Sequence, residues 1–426
     1  MSAPTASNSR YYILFLLLAV QIVAQVDRMA MSMLVEPIKA DFSLSDAEAG
    51  FLLGPAFVVL YAVLGVGFGI WADKGNRRNL IGYALVVWSV LTMACGMAVG
   101  FITMALARMG VAVGEAGANP PAYSMMSDLF DEHERGTAIG VYSTSSNIGI
   151  LVGFAAAGAI SEAFGWRNTF LLFGIPGILL ALVMFATVRE PARRQIDIDA
   201  GDQSLGLMAT ARHMLSQQTI RHLLVGGALT AFVGLGFSNW LPAYFERTFV
   251  DLDRTTIGIG LGVVIGIVGG AGTFLGGFFS DRVARRDIRW RLWISCIAIA
   301  VGWPIGILSL SADDYRLVLA LMALPAFVAL FHLATLFALV QQLVASRMRA
   351  TATAILMLFT NLLGGGLGPY FVGWLSDQLV DQYGERSLAI ALSTLIVFAF
   401  WGGLHFFMAN RHLVDDVERN RALGHT

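Results

Sequence analysis

Long apolar runs alternate with short polar clusters along the whole chain. A helix needs about 20 mainly apolar residues to cross a bilayer, and that measure predicts twelve spans. They fall near 11–37, 47–72, 79–99, 101–127, 136–160, 169–188, 222–244, 257–280, 292–310, 316–344, 351–376 and 387–409. Most connections are short, as in tightly packed bundles, and the one long connection runs from Arg189 to Arg221. The expected organisation is therefore a six-helix bundle over 1–188, a linker over 189–221, a second six-helix bundle over 222–409 and a tail over 410–426. Within the linker, Leu205 to Ile220 places apolar residues at loose helical spacing. An amphipathic surface helix and a flexible connection both fit it. Pro120 with Pro121, and Pro325, predict bends in the fourth and tenth spans.

Composition turns this pattern into a class. The chain is 57% hydrophobic and 13% charged, where soluble domains carry about 25% charged residues, so an all-α integral membrane protein is expected. A net charge of -1 without a basic patch gives no support to nucleic-acid binding. Cys95 and Cys296 both sit in apolar runs and form neither a disulfide framework nor a zinc pattern. No cofactor or metal is expected, and no nucleophile, base and acid arrangement in the spans suggests an enzyme. The first apolar run is too long for a signal-peptide core and reads as a span. With the N-terminus inside, 20 of the 28 basic residues fall on the cytoplasmic side and 6 on the other, which places both termini in the cytoplasm.

The two halves repeat. GIWADKGNRR, from Gly69 to Arg78, recurs as GFFSDRVARR, from Gly277 to Arg286, at an offset of 208 residues. Arg135 and Asn147 recur as Arg349 and Asn361 at an offset of 214. Such a duplication is the symmetry seen in secondary transporters.

Candidate chemistry comes from charges inside the spans, each costing about 2.5 to 3.5 kcal/mol on insertion scales. Asp27 and Arg28 interrupt the first span; Arg108 and Glu115 interrupt the fourth. Arg108 and Glu115 share one helix face roughly 10.5 Å apart along the axis, too far for an easy direct pair. Asp27 and Arg108 lie at matching depth; with helices one and four lining one cavity, as the family resemblance given below implies, they are expected to meet, leaving Glu115 without a close cation as a proton carrier. These three form the expected proton-coupling set, with a static pair that fixes packing as the plainer alternative. His332, alone in an apolar stretch, suits either a packing hydrogen bond or a second-half proton or headgroup contact. Arg28, Tyr61, Asn119, Asn239, Trp240 and Asn361 are further candidates for substrate contact, and for each of them interhelical packing is the competing role.

The repeated loops resemble the signature that the major facilitator superfamily carries after its second helix. RMGVAVGEA, from Arg108 to Ala116, resembles that superfamily's fourth-helix motif. More narrowly, the VDR of Val26 to Arg28, GEAGANPPAYSMMSDLF from Gly114 to Phe130 and ERGTAIGVYSTSSNIG from Glu134 to Gly149 resemble the Spinster branch. The chain departs from the pattern at Gly75, one place early, at Ala284 in the second loop, and at Ile150, where drug antiporters carry proline.

The resemblance implies two pseudo-symmetric bundles around a central cavity lined by helices one and four. It also implies proton-coupled alternating access, as an antiporter, for a lipid such as sphingosine phosphate or a lysophospholipid. Gly69, Asp73, Lys74, Arg77 and Arg78, with Gly277, Asp281, Arg282, Arg285 and Arg286, are by resemblance the inner gate latch. Within that latch the aspartates cap or pair with neighbouring helices, and Arg77, Arg78, Arg285 and Arg286 also contact anionic lipid. Protons, membrane lipids and a small-molecule or lipid substrate are the expected partners of a monomer in the bacterial inner membrane. A carrier of small organic anions or drugs, and a non-transporting sensor of the same fold, remain alternatives. The second half has long apolar runs and no certain membrane charge, which fits an acyl chain better than a hydroxylated solute.

Overall fold

The structure is a computed structural model that describes residues 6–193 and 206–422. The side chains of Asp73 and Asp281 lie outside the described residues, as do the linker positions 194–205. Among the described residues every regular element is helical. Ten stretches are long and apolar enough to cross a membrane. Two of them hold two spans each: Glu132–Thr187 breaks at Gly165 (φ 79), and Thr351–Ala422 breaks at Gly384 (φ 55). Both backbones are left-handed, a conformation that glycine adopts without a Cβ clash. The expected twelve spans follow, and this is a multi-pass membrane protein. Phe15, Leu106, Phe274 and Val397 are all more than 60% exposed, an arrangement that only a lipid surround makes favourable.

The first half runs through α1 (Ala6–Met33), α2 (Val35–Phe42), α3 (Asp46–Leu53), α4 (Pro55–Lys74), α5 (Arg77–Gly96), α6 (Phe101–Ala116), α7 (Asn119–Leu129) and α8 (Glu132–Thr187). The first span is thus two helices, since α1 passes into α2 at Leu34 and helix continues to Phe42, beyond the expected end. Ser45 and Glu48 form a capping box that starts α3. The fourth span breaks between α6 and α7, just before Pro120 and Pro121, as the prolines predict.

Leu207–Ser216 (α9) is the amphipathic candidate of the linker, and it is helical. Then come α10 (Gln218–Thr248), α11 (Arg254–Leu261), a π-helical segment Gly262–Val268, α12 (Gly269–Ala284) and α13 (Trp290–Ser309). The tenth span is α14 (Tyr315–Val328) and α15 (Phe331–Gln342), parted three residues after Pro325 is accommodated. The last elements are α16 (Arg349–Phe359), a π-helical segment Thr360–Gly366, α17 (Leu367–Tyr383) and α18 (Ser387–Ala422). The π-helical turns were not legible in the hydropathy pattern. Nor was the length of α18, which runs past 409 and buries Leu413, Asp416 and Asn420.

The chain falls into two compact units, Met1–Arg194 with Leu241–Ile267, and Gln195–Trp240 with Val268–Thr426. In the first, Trp88, Phe154 and Phe170 are fully buried. A Cβ at Gly114 would lie 2.8 Å from the Trp88 nitrogen, so the missing side chain lets α5 and α6 touch. The segment 241–267 is tied to this unit by charge. Arg247 donates to Glu36 at 2.6 and 3.0 Å and to Asp46 at 2.6 and 2.8 Å, while Lys39 also pairs with Asp46. In the second unit, Asp416 accepts the Thr219 N–H at 3.0 Å, and Asn420 donates to Gln217 at 2.9 Å. The end of α18 thereby anchors the start of α10.

Candidate functional site

Four of the charged residues singled out in the spans come together inside the first unit. Asp27 and Arg28 lie on α1, Arg108 and Glu115 on α6, and Asp27, Arg108 and Glu115 are 1%, 3% and 1% exposed. The pairing differs from the sequence expectation. Arg28, not Arg108, holds a carboxylate: its Nε donates to Glu115 Oε2 at 2.7 Å, and its Nη2 lies 2.7 Å from the same oxygen. Asp27 accepts a hydrogen bond from Thr92 Oγ1 at 3.2 Å and makes no ion pair with Arg108. Glu115 is therefore not the carboxylate without a cation. Helix length explains the shift. Arg28 lies 14 residues before Phe42, the end of α2, and Glu115 lies 14 residues after Phe101, the start of α6, so at about 1.5 Å per residue their depths match.

Arg108 is left as a buried guanidinium with no ion pair among the described residues, and its Nε has no hydrogen-bond partner. Its contact is the Phe57 ring, 5.2 Å from the guanidinium carbon to the centroid. Arg28 stands over the same ring at 5.2 Å and over Tyr61 at 5.0 Å. One oxygen of each carboxylate, Asp27 Oδ1 and Glu115 Oε1, is likewise buried without a partner. Two cations and two anions are thus gathered in one buried cluster, and open hydrogen-bonding capacity remains on Arg108, Asp27 and Glu115.

Below this cluster a polar chain continues. Asn119, the first residue of α7, donates to the Tyr61 hydroxyl at 3.0 Å and accepts from the Tyr142 hydroxyl at 2.6 Å. Gln21 Oε1 lies 3.4 Å from the same Tyr142 oxygen. The helix break at Gly117 and Ala118 orients Asn119 across the bundle. Phe57, Thr92, Tyr142 and Gln21 escaped the sequence reading. Thr92 and Gln21 carried a usable signal as isolated polar groups in apolar runs; Tyr142, beside the polar stretch Ser143 to Asn147, and Phe57 carried none.

The second-unit candidates do not assemble in this way. His332 is bonded through Nε2 to Thr230 Oγ1 at 3.1 Å and its ring rests on Phe406 at 5.8 Å. Trp240 is fully buried and donates to the Pro369 carbonyl at 2.8 Å. Asn239 donates to Leu235 of its own helix at 2.8 Å. Asn361 is half-buried in the second π-helical segment.

The repeated loops also part company. Arg77 is 1% exposed, where it pairs with Asp128, donates to Glu190 at 2.8 Å and reaches Ser124 and the Pro191 carbonyl, each at 3.0 Å. This burial corrects the expectation that it contacts lipid. Arg78 donates through its backbone to Glu190 at 2.8 Å and through its side chain to the Phe185 carbonyl. Its counterpart Arg286, and Arg282 and Arg285 beside it, are exposed, as is Lys74. Gly69 and Gly277 hold equivalent places in α4 and α12.

A membrane bundle with a duplicated loop and a buried charge cluster on the first and fourth spans narrows the families that fit. The Major Facilitator Superfamily profile matches residues 16–369. This chain belongs to the major facilitator superfamily. The transporter is 30% identical over 403 residues, 93% of this chain and 92% of the relative, to an MFS-type efflux pump of Mycolicibacterium smegmatis. It is 24% identical over 422 residues, 96% of this chain and 90% of the relative, to a probable L-galactonate transporter of Escherichia coli. Among solved structures it resembles a bacterial homologue of the human lysosomal transporter Spinster, in an inward-facing and unoccupied conformation. That likeness has a TM-score of 0.86 and 27% identity, covering 97% of this chain and 99% of the other. The transporter is accordingly a Spinster-like secondary carrier and not an enzyme.

Proposed function

We propose that the transporter carries an anionic amphiphile, such as a lysolipid or a sphingolipid-like molecule, and couples its movement to protons. The observation that carries this reading is Arg108, a buried cation without an ion pair among the described residues, beside a carboxylate, Asp27, that also has none among them. An uncompensated buried cation is costly, and an incoming phosphate or carboxylate removes that cost by charge-assisted hydrogen bonds. Asp27, Arg28, Arg108 and Glu115 sum to zero formal charge, so one bound anion is balanced by one proton. Asp27 is the acceptor for it, because Glu115 is already held by Arg28. Tyr61 and Asn119 extend the headgroup end, and the spans from His222 onward, in which Arg316 at the very start of the tenth is the one charged residue, take the chain. Asn239, Trp240, His332 and Asn361 belong to that second half and act as its polar contacts or its packing.

In this reading the two six-helix bundles, 1–188 and 222–409, alternate in access around the site, with both termini cytoplasmic. Asp73 and Asp281, whose side chains are outside the described residues, serve with their arginines as the inner latch. A second reading, a small organic anion, is favoured by the Asn119, Tyr61 and Tyr142 network, which suits a hydroxylated solute, and by the likeness to the galactonate carrier. Proteoliposome uptake separates them. A lysophosphatidic acid and galactonate are compared with and without a pH gradient; gradient-driven lysolipid uptake is expected. Uptake of galactonate alone selects the second reading, and gradient-independent uptake of either removes the proton.

A further inference from the structure

The second copy of the loop motif leads to a site apart from the charge cluster around Arg108. Arg285 at the end of α12, Arg291 in the first turn of α13 and Arg421 in the last turn of α18 converge on an open cavity of about 550 Å³. Ala284, Ile288 and Gln342 complete its lining, which contains no carboxylate among the described residues. All of these residues belong to the second unit, and none belongs to the Arg108 site.

The contrast with the first copy is informative. Arg77, the counterpart of Arg285, is buried against Asp128 and Glu190. Arg285 and Arg421 are exposed and make no ion pair among the described residues. The like charges of Arg285 and Arg421 at one concavity repel each other, and the repulsion is relieved when an anion sits between them. Guanidinium forks match the oxygens of a phosphate in geometry as well as charge. The positive end of α13, a 20-residue helix, adds to the same field. Trp290 and Trp293, 43% and 39% exposed beside Arg291, are the amphipathic side chains that settle at headgroup level.

We propose that this cavity binds a phosphate-bearing anion, either the phosphodiester of an anionic phospholipid or a free phosphate ester. The arginines bind the phosphate oxygens, Gln342 donates to the remaining oxygen, and Ile288 and Ala284 form the apolar shoulder.

The test is thermal unfolding of the full-length protein in neutral detergent, followed by tryptophan fluorescence. It is titrated with dioleoylphosphatidylglycerol, with dioleoylphosphatidylcholine and with glycerol phosphate. Phosphatidylglycerol is expected to raise the unfolding temperature and phosphatidylcholine to leave it unchanged; an equal rise with glycerol phosphate assigns the site to a soluble ester. Arg421→Gln should weaken the apparent affinity roughly tenfold, the loss of one charge-assisted contact. The Arg285→Gln/Arg421→Gln protein should lose the effect, while Arg421→Lys, which keeps the charge, should retain most of it. No stabilisation by either phosphate probe, an equal effect of phosphatidylcholine, or full stabilisation of the double variant overturns the proposal.

Discussion

Arg28 on α1 donates to Glu115 on α6 at 2.7 Å, although its sequence neighbour Asp27 accepts from Thr92 and has no cation partner among the described residues. Removing one partner of a buried pair leaves an uncompensated charge and costs about 3 to 5 kcal/mol. Arg28 keeps 24% side-chain exposure, which puts Glu115→Gln at the lower end of that range. The double variant Arg28→Gln/Glu115→Gln should recover a large part of the loss. A double-mutant cycle by thermal unfolding measures the coupling, and additive single effects mean the pair is not formed.

Arg108 should behave in the opposite way. With no ion pair to break, Arg108→Gln is expected to leave stability unchanged or to raise it, because a buried cation is removed. Binding of the anionic substrate should fall by at least about tenfold. Calorimetric titration and unfolding on the same samples check both halves. A strongly destabilised variant identifies Arg108 as a structural residue.

Asp27→Asn should separate substrate binding from the proton. The amide still accepts from Thr92, so folding is retained, while the response of uptake to a pH gradient is expected to vanish. Comparing gradient-driven and exchange uptake in proteoliposomes reads this directly. An unchanged gradient response moves the proton to Glu115.

The repeated loop arginines should differ in energy although both stand at equivalent places in the repeated motif. Arg77→Ala leaves Asp128 and Glu190 without their shared cation and should cost about 3 kcal/mol or more. Arg285→Ala, at an exposed position, should stay within about 0.5 kcal/mol in detergent without added lipid. Unfolding midpoints of the two variants decide it, and equal losses show that both loops are buried alike.

The sequence by itself determined the number and approximate ends of the spans, because a bilayer accepts only helices of sufficient apolar length. It also determined the six-plus-six repeat, through the motifs at Gly69 and Gly277, and the identity of the charged residues, since Asp27, Arg28, Arg108 and Glu115 are conspicuous in apolar runs. Only the tertiary structure decided which charges pair. Axial depth depends on where each helix ends, and the continuation of the first span to Phe42 set Arg28 level with Glu115. Local sequence could not reveal that Arg77 is sealed by Asp128 and Glu190 while Arg285 opens onto a cavity with Arg291 and Arg421. Equivalent arginines of a repeated motif take their environment from residues about 50 to 140 positions away, and burial, unlike helix formation, is a property of those distant neighbours.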